Sequence, residues 1–158
     1  MKVNPVGNKY SEVDRAYLAG FLDADGAIMA TIERHQEKKF GFRVRIILKI
    51  TQQNRKVLDW FCKHFQAGNV AKNRTTYDWL IKDQKDAKNI LRIVHSFLKV
   101  KKPQARKALS ILEIKIIQKK DLLRAAQLAD SLSRLNVRSK NRRKNHVSMI
   151  QDYLSSND

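Results

Sequence analysis

Acids are scarce in this chain. Asp and Glu number 15 against 33 Lys and Arg in 158 residues, a formal net charge of +18. With 42% hydrophobic residues the chain can still build a core. Such an imbalance on a globular chain points to a polyanion, most often nucleic acid. A merely basic protein, of the ribosomal kind, is the alternative. The bases are spread over predicted strands, helices and loops, which disfavours a membrane partner. Cysteine occurs once, as Cys62, so no intramolecular disulfide can form. It lies in an apolar helical pattern and reads as a small buried hydrophobe. Glycine (5) and proline (2) are few, and no low-complexity tract is visible. No apolar run reaches membrane-spanning length. The stretch MKVNPVGNKY has no apolar centre of the secretory kind. The expectation is an intracellular protein in a reducing compartment, either an organelle or a prokaryotic cytoplasm. His35, His64, His95 and His146 show no metal-ligand spacing, and no Ser–His–Asp or Cys–His set can be assembled.

What is present begins with an oddly placed pair of acids. Ser11-Glu12-Val13-Asp14 has the S-x-x-D form of a helix start, and Tyr17, Leu18, Phe21 and Leu22 recur at helical spacing. Gly26 is a natural residue just past the helix end, able to take a positive φ. Asp23 and Asp25 then fall in or just after its last turn. The helix dipole disfavours each acid there by roughly 0.3–1 kcal/mol. Two such penalties in three residues imply a cationic return. On the same helix Ala16, Ala19, Gly20 and Asp23 follow i, i+3, i+4, i+7. An interior glycine costs about 1 kcal/mol against alanine, so this small-residue pattern is read as a close helix–helix interface.

Past Gly26 the period becomes two. Ile28, Ala30 and Ile32 alternate with Met29, Thr31 and Glu33, and a polar turn spans His35 to Lys39. In the next strand Phe40, Phe42, Val44, Ile46, Leu48 and Ile50 share one face. Arg43, Arg45, Ile47, Lys49 and Thr51 share the other. One face is covered by helices, and the open face is cationic, as suits phosphates and base edges. Asn54 is expected to cap a helix with Val57, Leu58, Phe61, Cys62 and Phe65. A second hairpin runs Val70–Asn73 and Thr76–Lys82, with Arg74-Thr75 near its tip. Asp83 opens a helix, Pro103 suits the first position of another reaching Ile116, and two more are expected near 121–135 and 145–154. Between these last two, residues 136–144 hold five bases; a solvated linker and a phosphate clamp are both open readings. Trp60 and Trp79 are expected in the core rather than stacked on bases. The order helix–hairpin–helix–hairpin–helix suggests an internal αββ duplication.

Leu18-Ala19-Gly20-Phe21-Leu22-Asp23-Ala24-Asp25-Gly26 closely resembles the nine-residue motif of the LAGLIDADG homing endonucleases, departing by Phe for Leu and Leu for Ile. A single copy resembles the one-motif, homodimeric, intron-encoded branch. Thr51-Gln52, Phe97 to Ala105, and Leu135-Asn136 with Ser139-Lys140 and Arg142 extend the resemblance along the chain. It implies an α+β, αββαββα fold whose antiparallel sheet forms a DNA saddle, with core about 11–100 and C-terminal helices about 103–158 in one domain. It implies that Asp25 is the catalytic metal ligand, aided by the Ala24 carbonyl, with Mg²⁺ functional and Ca²⁺ able to occupy without supporting cleavage. Gln52 matches a water-orienting position, Lys101 a transition-state cation, and Lys56 a basic position usually held by Arg. Asp23 is assigned structural hydrogen bonds near the helix ends.

Double-stranded DNA would be read by Met29, Thr31, Glu33, His35, Lys38, Arg43, Arg45, Ile47, Lys49, Ala71, Asn73, Arg74 and Asp78, with Glu33 and Asp78 either accepting from cytosine or fixing an arginine. Lys101, Arg138, Lys140, Arg142, Arg143 and Lys144 would hold phosphates. The implied function is a site-specific endonuclease cutting a long pseudo-palindromic site and starting intron mobility. An intron RNA maturase and a non-cleaving DNA-binding derivative are the alternatives; RNA is possible as a partner but not expected.

Overall fold

Four of the helix starts rest on one short polar side chain each. Ser11 Oγ accepts from the Asp14 amide at 3.1 Å, Asn54 Oδ1 from Val57 at 3.3 Å, Asp83 Oδ1 from Asp86 at 2.9 Å and Asn145 Oδ1 from Ser148 at 3.2 Å. Each satisfies an amide the helix leaves open and contributes about 1 kcal/mol. The computed structural model describes residues 9–136 and 145–158. Its elements are α1 (Glu12–Asp25), β1 (Gly26–Arg34), β2 (Phe42–Gln52), α2 (Arg55–Phe65), β3 (Asn69–Asn73), β4 (Thr76–Ile81), α3 (Gln84–Val94), α4 (Lys102–Glu113), α5 (Lys119–Asn136) and α6 (His146–Ser156). The expected αββαββα order with trailing helices is present. The four strands form one sheet in the order β1-β2-β4-β3. β4 runs antiparallel to both β2 and β3, with Thr51 and Ala71 each opposite Asp78.

Two compact units divide the chain, and the boundaries fall inside β1, β2 and α4. One unit contains the segment up to Ile28 together with Ile47–Arg106; the other contains Met29–Ile46 and the segment from Lys107 onward. In the first unit Leu18 and Leu22 of α1, Leu48 and Ile50 of β2, Leu58 and Phe61 of α2, Trp79 and Ile81 of β4 and Leu91 of α3 are all buried. Trp79 stacks on Phe61 with ring centroids 5.5 Å apart and donates its indole N–H to the Ala67 carbonyl at 2.8 Å. That bond removes the penalty of burying the indole nitrogen. In the second unit Ile32, Phe42 and Ile46 of the first hairpin are buried, as are Leu122, Ala125, Ala126, Ala129 and Leu132 of α5 and Ile150 of α6. Tyr153 packs edge-on against Phe42, and the Arg34 guanidinium lies 3.9 Å over the Tyr153 ring. Asp130 is a buried acid that the sequence does not advertise. Its carboxylate accepts from the amides of His146 (2.7 Å) and Val147 (3.1 Å), so an α5 side chain anchors the start of α6.

Several expectations are corrected. Gly26 has φ −101°, so its glycine is not needed for a left-handed turn. The reason is space: a Cβ there would lie 2.5 Å from both the carbonyl oxygen and Cδ1 of Leu22. Phe40 lies in the turn rather than in β2. Lys102, not Pro103, opens α4, which stops at Glu113 rather than reaching Ile116. The Asp121 carboxylate gathers the amides of Ile117 and Gln118 into a turn ahead of α5. Trp60 is 40% exposed, lying over His64 with centroids 4.7 Å apart, instead of filling the core. Cys62 is half-buried, its thiol donating to the Gly68 carbonyl. No helix among the described residues is long and apolar enough to cross a membrane.

Candidate active site and nucleic-acid interface

The two acids at the end of α1 have separate fates. Asp23 turns back onto the segment before α4. Its Oδ2 accepts from the Lys99 amide at 2.7 Å, and its Oδ1 from the amides of Val100 (3.2 Å) and Lys101 (2.9 Å). The Lys101 ammonium donates in turn to the Asp23 carbonyl oxygen. The expected cationic return is therefore present: three N–H dipoles and one ammonium at the negative end of the helix. Burial by itself pushes the Asp23 carboxyl up, but the amides of Lys99, Lys101 and Val100 and the charge of Lys101 outweigh it. The carboxyl sits below its ordinary 3.8.

Asp25, two residues on, is exposed. Its Oδ2 accepts from Gln52 Nε2 at 2.6 Å, joining the last residue of α1 to the last residue of β2. Asp25, Gln52 and Lys101 thus converge on one helix end, Lys101 through Asp23. Ala24 is exposed beside Asp25. Lys56 is exposed on the first turn of α2, and no bond ties it to Asp25 or Gln52 among the described residues. No group of three or more His, Cys, Asp or Glu able to hold a metal occurs among the described residues. Of the two acids at this helix end, Asp25 is the exposed one, Asp23 being held by residues 99–101.

The α1 interface expectation needs revision. Ala19 is 0% exposed and faces its own core with Leu18 and Leu22. Asp23 is committed to residues 99–101. The surface stripe is instead Val13 (77% exposed), Ala16, Tyr17 (48%), Gly20 and Ala24. A Cβ added at Gly20 meets nothing within 4 Å. Periodicity alone ran the pattern across both faces of the helix.

The sheet residues divide between the two units. In the first, Ile47, Lys49 and Thr51 are half-buried while Leu48 and Ile50 are buried, as the alternation predicts. Ala71, Asn73 and Arg74 are exposed, and Arg74 takes φ 56° at the β3–β4 tip. Asp78 is only 6% exposed, and both its oxygens are used: Oδ1 by the Thr51 hydroxyl at 2.5 Å and Oδ2 by the Asn73 amide at 2.9 Å. It is a support beneath Thr51 and Asn73, which corrects its assignment as a base reader. In the second unit Met29, Thr31 and Glu33 are half-buried, His35 follows β1, and Lys38 is exposed in the turn. Glu33 binds Arg43 Nη2 at 3.2 Å and Arg45 Nη2 at 2.5 Å. Its carboxyl lies below the usual range, first because Arg45 hydrogen-bonds it; burial, the next largest effect, pushes it up, and the Arg43 hydrogen bond with both arginine charges brings it back down. Arg138, Lys140, Arg142, Arg143 and Lys144 lie outside the described residues.

The same arrangement of elements occurs in proteins of known activity. The DNA endonuclease I-CreI of Chlamydomonas reinhardtii is 34% identical over 110 residues, covering 68% of either chain. The DNA endonuclease I-CvuI of Chlorella vulgaris is 30% identical over 134 residues, 81% of this chain and 83% of that one. A crystal structure of the homing endonuclease I-CvuI with an I-CreI target, in magnesium and with the DNA not cleaved, matches with a TM-score of 0.82. It is 26% identical, covering 92% of this chain and 94% of that one. The LAGLIDADG endonuclease model matches residues 18–118, and with that match the chain belongs to the LAGLIDADG endonuclease family.

Proposed function

We propose that this chain is a homodimeric, magnesium-dependent, site-specific endonuclease that makes a double-strand break in a long pseudo-palindromic DNA site and so starts intron mobility. The observation that carries the reading is the joining of Asp25 to Gln52 at the end of α1, with Lys101 held to the same helix end. A carboxylate, an amide and an ammonium in that arrangement suit phosphodiester hydrolysis. Asp25, with the Ala24 carbonyl, would hold the metal; a second Asp25 from a partner copy, phosphate oxygens and water would complete the set. The ion, when bound, supplies charge neutralisation at the phosphate and an acidified water.

The protein's own groups do the rest. Gln52 fixes Asp25 by its N–H and keeps its carbonyl oxygen to orient a water. Lys101 places a positive charge for the negative phosphoryl oxygens. Asp23 holds Lys101 in register by gripping its amide. The exposed Val13–Ala16–Tyr17–Gly20 stripe offers a surface narrow enough for two α1 helices to meet, which brings two Asp25 carboxylates together. Such a pair of like charges is stable only with a shared cation or proton. Arg43, Arg45, Ile47 and Lys49 stand on the open strand faces, the side chains a β-ribbon presents to the major groove. The protein would act inside the cell, as a single endonuclease domain.

The test is a plasmid carrying the uninterrupted target allele, incubated with Mg²⁺ and purified protein. The parent is expected to linearise it. Asp25→Asn is expected to leave it intact while binding it as tightly or more tightly, because a charge facing phosphate is gone. Cutting that survives Asp25→Asn would refute the assignment. Tight binding without cutting by the parent would favour a DNA-binding derivative, and preferential binding of the intron RNA a maturase.

A further inference from the structure

Glu33 is an acid on a hairpin that the charge balance assigns to a polyanion, and its presence there needs a reason. The geometry gives one: both carboxylate oxygens are occupied, one by Arg43 Nη2 and the other by Arg45 Nη2. A carboxylate used on both oxygens is poorly placed to accept from a cytosine amino group. Nε of Arg43 and Nε of Arg45 are buried without a partner among the described residues, so each guanidinium offers only its terminal nitrogens outward. The side chains are 34% and 25% exposed, and Glu33 is 41% exposed, so the cluster lies at the surface.

We infer that Glu33 is a specificity-determining positioning residue, which fixes Arg43 and Arg45 as two guanine readers and touches no base itself. The inference rests on the DNA-endonuclease reading above. A free arginine samples many rotamers and meets any phosphate; one pinned at Nη2 keeps its remaining terminal N–H groups in a set direction, the fork that matches guanine O6 and N7. Residues i and i+2 of a strand stand about 6.6 Å apart, near twice the ~3.4 Å rise of a base pair. The two guanines should therefore lie about two base pairs apart in each half-site. A good bidentate contact discriminates by about 5- to 150-fold, and that is the size of preference each arginine can confer.

The experiment is selection of bound and cleaved sites from a randomised target library, with parent, Glu33→Gln, Glu33→Asp and Arg45→Lys, each first checked by circular dichroism and thermal melting. The parent is expected to enrich guanine at two positions about two base pairs apart. Glu33→Gln should lower both preferences at least fivefold and leave the remaining positions unchanged, while binding to non-specific DNA holds or rises. Arg45→Lys should relax one of the two positions only, and Glu33→Gln added to it should relax nothing further at that position. Glu33→Asp, which keeps the charge but shortens the reach, should relax both positions less than Glu33→Gln. Loss of preference at one further position, with both guanine preferences intact, would show that Glu33 reads a base itself and would overturn the inference. An unchanged profile would overturn it equally. A parent that enriches no sequence would overturn the endonuclease reading and this inference together, whereas the first two failures leave that reading standing.

Discussion

Gly20 gives a test in which intramolecular and intermolecular effects have opposite signs. Inside one protomer a Cβ at position 20 meets nothing within 4 Å, and the residue lies in the middle of α1, exposed. Gly20→Ala should therefore stabilise an isolated protomer by up to about 1 kcal/mol, the helix-propensity difference. If α1 packs against α1 of a second copy, the same methyl enters the tightest part of that contact. A twofold interface receives it twice. Overpacking of this kind costs about 1–3 kcal/mol, so net dimer affinity should fall by one to several orders of magnitude, and Gly20→Leu should fall further. Sedimentation equilibrium on parent, Gly20→Ala and Gly20→Leu reads the dissociation constant directly, and melting at several concentrations reads the protomer, since a dimer's Tm depends on concentration. Expected are a dimeric parent, weakened variants and concentration-independent melting for Gly20→Leu. A Gly20→Leu protein as tightly dimeric as the parent, or a parent that sediments at 18.4 kDa, would refute the helix interface.

Two other predictions concern the same helix end. Gly26→Ala places a methyl 2.5 Å from the Leu22 carbonyl oxygen; it should destabilise the protein by about 1–3 kcal/mol in urea titration and reduce cutting by displacing Asp25 from Gln52, whereas an unaltered midpoint would contradict the steric account. Because the Asp23 carboxyl is held below its ordinary 3.8, the ionised form stabilises the fold. That contribution is complete above the unfolded value and is lost as pH falls through the lowered folded one. Parent and Asp23→Asn should thus differ in stability near pH 7 and converge in acid, and a constant gap across this range would refute the clamp.

Local chemistry made much of this fold readable in advance. Ser11, Asn54, Asp83 and Asn145 each needed only an amide three residues away, and the period-two run of β2 picked out the covered Phe42, Ile46, Leu48 and Ile50, though Val44, expected on the same face, is only half-buried like Arg43 and Arg45. The motif itself located Asp25, and its partner Gln52 closes the neighbouring strand. What stayed hidden depended on distant pairing. Asp78 is covered because register sets it opposite Thr51, 27 residues earlier in the chain. Ala19 points inward because Leu18 and Leu22 choose the buried side of α1, a choice the small-residue spacing cannot express. Asp23 finds its partners 76 to 78 residues away, and Asp130 caps a helix that starts 16 residues on. Glu33 was legible either as a cytosine acceptor or as fixing one arginine, but not as shared by both arginines of β2.

Each double-strand break is expected to need two Asp25 side chains, one from each of two copies. Mixing parent and Asp25→Asn protein in varied proportion, unfolding and refolding them together, and measuring plasmid linearisation in Mg²⁺ tests it directly. Linearisation should fall with the square of the parent fraction; a fall in simple proportion to that fraction would contradict the claim.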